Sequence, residues 1–272
     1  MKHTLPLAIL WTLLLLVGCS PSRSTVDGIV LRVITYNIHH GEGIDGTVDI
    51  DRIAKLILDT KADIVALQEV DRGVERTKKI DIMTLLADKT GMTYAFGKNL
   101  DYQGGDYGNG VLTRFPILEE RNLHYTMIRE GEQRGLLQLV LDVRGQEVVV
   151  LNTHIDYRPD DRERVMNVGE IRAAITRYRP RPVIVCGDFN DVPSSRTILL
   201  MREELTDVWD AVGAGEGLTY PTVKPEKRID YIFVTPATGS AAVKLRPISA
   251  TVLRSEASDH LPVLVELLMT NN

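Results

Sequence analysis

The sequence predicts an α/β fold in which two β-sheets pack face to face with helices on the outside. Three observations lead there. Apolar, β-branched runs interleave with amphipathic helical stretches between residues 29 and 268. Many neighbouring strands are joined by short connections, which favours antiparallel pairing, while others are joined through a helix. Across the 272 residues no repeat, long charge run or second linker divides the chain, so one domain over 29–272 is expected.

The elements follow in order. Residues 29–36 alternate and are rich in β-branched side chains, which marks a strand. Residues 51–58 place Ile53, Leu56 and Ile57 on one helical face. A short apolar strand at 64–67 precedes a second helix at 80–90, closed by Gly91 just past its end. Residues 108–113, 136–143 and 148–153 read as strands. A longer helix at 163–178 stops at Pro180 and Pro182. Strands at 183–186, 229–234, 243–252 and 263–268 complete the set.

Composition is that of an ordinary globular protein: 44% hydrophobic, 25% charged, net charge −5. It excludes a disordered chain, a collagen-like repeat and a polytopic membrane protein. The acidic balance argues against a protein that coats nucleic acid. It leaves room for an enzyme that meets nucleic acid only at a metal-bearing cleft.

The N-terminus departs from this average. After Met1, Lys2 and His3, residues 5–17 are almost wholly apolar, with four leucines at 13–16. That is shorter than the ~20 residues of a membrane span and fits the apolar region of an export signal. Leu16-Val17-Gly18-Cys19 follows and resembles the bacterial lipobox, in which the cysteine is lipidated and becomes the new N-terminus. On that reading residues 1–18 are a lipoprotein signal peptide and 19–28 a polar tether. The mature protein is exported and anchored in the outer membrane or at the cell surface through Cys19. The alternative is a plain anchor helix with an incidental cysteine. Cys186, the second of two cysteines, lies in an apolar strand and reads as packing.

The chemistry-bearing residues stand just after apolar strands, where a sheet rim gathers polar groups into a site. The segments are Thr35-Tyr36-Asn37-Ile38-His39-His40-Gly41, Leu67-Gln68-Glu69-Val70-Asp71, Gly108-Asn109-Gly110, Asn152-Thr153-His154, Gly187-Asp188-Phe189-Asn190, Arg228-Ile229-Asp230 and Ser258-Asp259-His260-Leu261-Pro262. Singly, each suits a turn or a solvated strand end. Together they deliver carboxylates, amides and imidazoles without thiolates, a donor set that suits Mg²⁺ or Mn²⁺ better than structural zinc.

These motifs, in this order over residues 30–268, resemble the endonuclease/exonuclease/phosphatase superfamily of metal-dependent phosphohydrolases. The resemblance implies a four-layer α/β/β/α sandwich of two mostly antiparallel sheets. It implies that Glu69, Asn37 and Asp259 surround a divalent ion, Mg²⁺ or else Mn²⁺. Asp188 then orients and deprotonates the attacking water, and Asn190 holds a phosphate oxygen or that water. His154 and His260 flank the scissile phosphate, Asp230 orients His260, and Asn109 matches a frequent active-site amide. The Asp188/Asn190 spacing would point both side chains to one side of an extended strand end.

Departures narrow the substrate. Abasic-site endonucleases usually carry Gln-Glu-Thr-Lys where this chain has Gln68-Glu69-Val70-Asp71, and a tyrosine where it has His154. Inositol-polyphosphate 5-phosphatases carry a Pro-Ala-Trp-Cys-Asp-Arg block of which 224–230 keeps a trace. The expectation is a phosphoesterase acting on a phosphodiester or phosphomonoester: a lipid head group, a small diester or a nucleic acid. Arg76 and Arg134 are candidate contacts for the substrate phosphate or an anionic head group, with surface ion pairs as the plain alternative. Residues 104–107 are expected in a loop, His39 and His40 in an accessory role, and Trp209 in the core. No obligate protein partner is evident and a monomer is expected. A non-catalytic surface binding protein on the same scaffold would have lost a metal or histidine position, and none is lost.

Overall fold

The computed structural model describes residues 28–237 and 242–271, together with Met1. The apolar leader, Cys19 and nearly all of the tether lie outside the described residues. Among the described residues no helix is long and apolar enough to cross a membrane.

Among the described residues, twelve strands form two sheets of six. The first runs β11 (Val243–Val252), β12 (Val263–Asn271), β1 (Gly28–Asn37), β2 (Ile64–Arg72), β4 (Gly105–Thr113), β3 (Thr93–Tyr102). The second runs β5 (Ile117–His124), β6 (Gly135–Val143), β7 (Gln146–His154), β8 (Val183–Asp188), β10 (Asp230–Val234), β9 (Thr206–Asp207). Each sheet has one parallel pair, β1–β2 and β7–β8, and is otherwise antiparallel. The parallel pairs are joined through α1 (Ile50–Thr60) and α3 (Arg162–Tyr178), because a parallel neighbour requires a crossover.

Strand periodicity sorts the side chains into three apolar layers. Leu31, Val33, Ile64 and Ala66 of the first sheet share a buried cluster with Leu137, Leu139, Val150, Ile184 and Cys186 of the second. The opposite face of the first sheet, with Ile34, Tyr36, Val65 and Leu67, packs on α1 and α2 (Ile82–Thr90). The opposite face of the second, with Val149, Leu151, Val183 and Val185, packs on α3 and α4 (Arg196–Arg202). The result is the expected sandwich of two sheets between helices. Trp209, in the short α5 (Val208–Val212), packs partly buried against the central layer.

Local signals fix the helix ends. Asp49, Asp81 and Ser195 cap α1, α2 and α4 by accepting backbone N–H bonds, which satisfies orphan donors of the first turn. Gly91 ends α2 in the left-handed region at φ 67°. Gly187 in β8 lies so close to β7 that a Cβ would strike the Thr153 carbonyl oxygen.

One reading needs correction. The stretch around Gly104 and Tyr107 is not a loop before Asn109: Gly105 and Tyr107 belong to β4, and the β3–β4 turn sits at Gln103 and Gly104. A strand of Gly-Asp-Tyr-Gly-Asn-Gly has almost no β propensity of its own. It holds because it pairs with β2 on one side and β3 on the other.

Candidate active site

The site lies where the C-terminal ends of the two parallel pairs meet, the rim at which crossover topologies leave a crevice. Register brings the second sheet's groups into a row: His154 pairs with Asp188, and Asp188 with Asp230, across β7, β8 and β10. The first sheet contributes Asn37 from β1 and Glu69 from β2. A buried amide clip holds the two sheets together beneath them. Gln68 Nε2 donates to Asn152 Oδ1 at 2.7 Å, and Asn152 Nδ2 reaches the carbonyls of Leu67 and Gly110 at 2.8 Å each.

Glu69 reaches the site through a β-bulge. Between Leu67 and Val70 the β2–β4 register shifts, so that Gln68 and Glu69 together oppose Asn109. Glu69 adopts φ 59°, which a non-glycine residue rarely does without structural reason. The bulge lets both Gln68 and Glu69 serve the space between the sheets while Val70 returns to the helix-covered face. Strict alternation would have sent Glu69 toward α2.

Asp188 is the centre of the arrangement. It is 1% exposed and accepts Asn37 Nδ2 at 3.0 Å, while the same amide donates to Glu69 Oε1 at 2.9 Å. Its Oδ2 stands 3.5 Å from His154 Nε2 and 3.7 Å from His260 Nε2. Burial, and then the neighbouring Asp230 charge, push its carboxyl up to about 7. The pairing with Asn190 has another origin than strand alternation. Asn190 sits at φ 49°, and its N–H bonds back to Asp188 Oδ1 at 2.8 Å, so a side-chain-closed turn brings the two together.

The two imidazoles are held in opposite states. His260 Nδ1 lies 2.9 Å from Asp230 Oδ2. Burial opposes its charge, but Asp230, Asp188 and Asp259 outweigh burial and raise it to about 10. His154 is pushed well below the usual histidine value by burial and by the cations Arg134 and His260. Arg134 Nη1 meets His154 Nδ1 at 3.0 Å. A guanidinium only donates, so Nδ1 must accept and the ring proton resides on Nε2, facing the Asp188 carboxylate. This Arg134–His154 contact joins residues twenty apart in sequence, one just before β6 and one at the end of β7, and nothing in their local sequence announces it.

The remaining candidates fall as follows. Asp259 lies at the cleft, with His39 Nδ1 4.0 Å from its Oδ1. Asn37 turns its Oδ1 to the His39 N–H at 3.1 Å, so its amide bridges the carboxylates and its oxygen keeps one free lone pair. Arg76 and Arg134 both line the cleft. Asn109 does not: it is 1% exposed and donates to the Gly135 carbonyl at 3.1 Å, tying β4 to β6. Sequence reasoning missed Tyr220, whose ring lies 4.8 Å from that of His260, and Lys227, its partner in a β-bridge. Both line the cleft, and Lys227 has no carboxylate partner among the described residues.

The cleft measures about 700 Å³. Its floor holds Glu69, Asp188, Asn190, His154 and His260. Its walls set cations against tyrosines: Arg76 lies 4.8 Å from the ring of Tyr102 and 5.5 Å from that of Tyr107, and Arg134 lies 5.8 Å from that of Tyr157. The donor chemistry fits a divalent cation. The Asn37 amide bridges Glu69 and Asp188, and Asp259 lines the same cleft, so hard oxygen donors face one space.

Comparison with known proteins places this geometry. The family model described as Endonuclease/Exonuclease/phosphatase family matches residues 34–260. The uncharacterized protein YbhP of Escherichia coli is 29% identical over 251 residues, spanning 87% of this chain and 95% of its own. An endonuclease/exonuclease/phosphatase from Beutenbergia cavernae superposes with TM-score 0.68 at 25% identity, covering 89% of this chain and 72% of the other. A mannosyl-6-phosphatase from Bacteroides thetaiotaomicron superposes with TM-score 0.70 at 20% identity, covering 87% and 99%.

Proposed function

The chain belongs to the endonuclease/exonuclease/phosphatase family and is a hydrolase of phosphoric ester bonds, and from that premise we propose that it is an exported, lipid-anchored phosphoesterase that cleaves a small phosphodiester or phosphomonoester by in-line attack of a water activated at Asp188. The observation that carries the reading is the place of Asp188: a buried carboxylate within 3.5 Å and 3.7 Å of one neutral and one cationic imidazole.

Each group has a task. Asp188 accepts the proton of the attacking water, and burial holds its proton affinity above that of an ordinary carboxylate. His260, kept charged by Asp230, donates to the phosphoryl group and offsets its growing negative charge. His154 directs Nε2 toward Asp188, and the Asn190 side chain lines the cleft beside it. A divalent ion held by Glu69, Asp259 and Asn37 (Mg²⁺, with Mn²⁺ the alternative) supplies neutralisation of the non-bridging oxygens when bound. Arg76, Arg134 and Lys227 line the walls and favour an anionic substrate. A cleft of about 700 Å³ suits a head group or a mononucleotide-sized ester.

The purified chain should hydrolyse bis-p-nitrophenyl phosphate or p-nitrophenyl phosphate with Mg²⁺ or Mn²⁺ and not with EDTA. Asp188→Ala should abolish turnover. Metal-independent turnover, or a fully active Asp188→Ala, would refute the mechanism. A panel of sphingomyelin, phosphoinositides, sugar phosphates, plasmid DNA and RNA separates the substrate classes.

Export and anchoring rest on the apolar run at 5–17 and on Leu16-Val17-Gly18-Cys19. Mass spectrometry of membrane-purified protein should find a diacylglyceryl Cys19 as the first residue. An intact, unmodified N-terminus would overturn this part and leave the chemistry standing.

A further inference from the structure

The three-residue 3₁₀ turn after β1, His39–Gly41, carries two histidines that the hydrolytic arrangement does not use. Both are in left-handed backbone, His39 at φ 43° and His40 at φ 44°, a conformation that Cβ-bearing residues adopt singly and seldom in succession. The two rings lie together, their centroids 4.5 Å apart, edge to face. One ring nitrogen from each and a Glu69 carboxylate oxygen all lie within 4.8 Å of one another. Asp259 Oδ1 stands 4.0 Å from His39 Nδ1, at the edge of the same group.

His40 is a buried imidazole with a nitrogen to spare. It is 6% exposed, its Nδ1 has no hydrogen-bond partner among the described residues, and its Nε2 meets Glu42 only at 3.4 Å. A buried ring nitrogen left unpaired is costly unless something else satisfies it. Two imidazoles with one or two carboxylates form the mixed nitrogen–oxygen set preferred by Mn²⁺, Co²⁺ and Zn²⁺, unlike the all-oxygen set preferred by Mg²⁺.

We propose that His39, His40 and Glu69, with Asp259 at the edge, form a second divalent-cation site for a borderline first-row ion, and that its carboxylates, Glu69 and Asp259, are shared with the hydrolytic centre. The site lies on the first-sheet side of Glu69, and the Asn37 amide that Glu69 accepts links it to Asp188.

Co²⁺ is the probe, because imidazole ligation changes its visible absorption. The metal-free purified chain is titrated with Co²⁺ in excess Mg²⁺. One tightly held Co²⁺ per chain is expected, with an absorption band absent from free Co²⁺. His39→Ala and His40→Asn should weaken it roughly tenfold or more. His39 is partly exposed, so His39→Ala carries the test if His40→Asn does not fold. His260→Asn, which disables the hydrolytic arrangement, should bind Co²⁺ as the wild type does, so a failure of the proposed hydrolysis remains distinguishable. Equal Co²⁺ binding by wild type and His39→Ala, or complete displacement of Co²⁺ by Mg²⁺, would overturn the proposal.

Discussion

His260 and Asp230 face each other at 2.9 Å between Nδ1 and Oδ2, while the second Asp230 oxygen has no hydrogen-bond partner among the described residues. The carboxylate is fully committed to keeping one imidazole charged. Asp230→Asn preserves the shape and removes the charge. Turnover should fall by about 10²–10⁴ with little change in KM, and the alkaline limb of the pH–rate profile should move to lower pH. Wild-type rates and an unmoved profile would remove Asp230 from this role.

Above neutrality the stability of the metal-free protein should fall as pH rises. His260 goes from an ordinary 6.5 to about 10 in the folded state, so its contribution is complete below 6.5 and is lost as pH passes about 10. Asp188, raised from 3.8 to about 7, acts in the same sense, its contribution being present below 3.8 and lost by about 7. The interval between about 7 and about 10 therefore belongs to His260. Denaturant midpoints measured in EDTA should decline through it, and His260→Asn should flatten that decline. Parallel curves above neutrality would contradict the assignment.

Arg76 should matter to stability before it matters to substrate. Its guanidinium makes two bonds of 2.8 Å to Asp71, a carboxylate with no exposure. Arg76→Ala strands that charge and should cost about 3 kcal/mol, whereas Arg76→Lys should recover part of the loss. Urea denaturation checks both. An unchanged midpoint in Arg76→Ala would mean that Asp71 finds another partner.

Cys186 should be inert in the folded protein. It is wholly buried in the layer between the sheets, and burial raises its thiol well above the ordinary range. A thiol reagent should find nothing until the chain unfolds. Membrane-purified protein with a lipidated Cys19 should then titrate one thiol, and protein retained in the cytoplasm should titrate two. Rapid labelling of native Cys186 would show that the layer opens.

Much of this fold was readable along the chain because its central strands are apolar. Residues such as Val33, Val150 and Val185 announce strands without tertiary help. The strands that escaped are at edges. β3 contains Gly97, Lys98, Asn99 and Asp101, and β5 contains Glu119, Glu120, Arg121 and Asn122, charged as exposed edges often are. The helix α4 spans seven residues, too few for periodicity to register. At the site, residue types at strand ends were legible, but their aim was not. The bulge that turns Glu69, the turn that folds Asn190 back on Asp188 and the Arg134–His154 contact all depend on neighbouring strands.

The place of β1 in its sheet has a temporal consequence. It lies between β2, which follows at once, and β12, which is more than two hundred residues downstream. Asn37 is therefore carried by a strand that stays open on one side until residues 263–271 have been made. The loop carrying Asp259 and His260 is delivered by the same late event. The first half of the chain cannot close its sheet early, and hydrolytic competence arrives in one step at the end of synthesis. For the export proposed above, such lateness would leave no prematurely active half to be undone on the way.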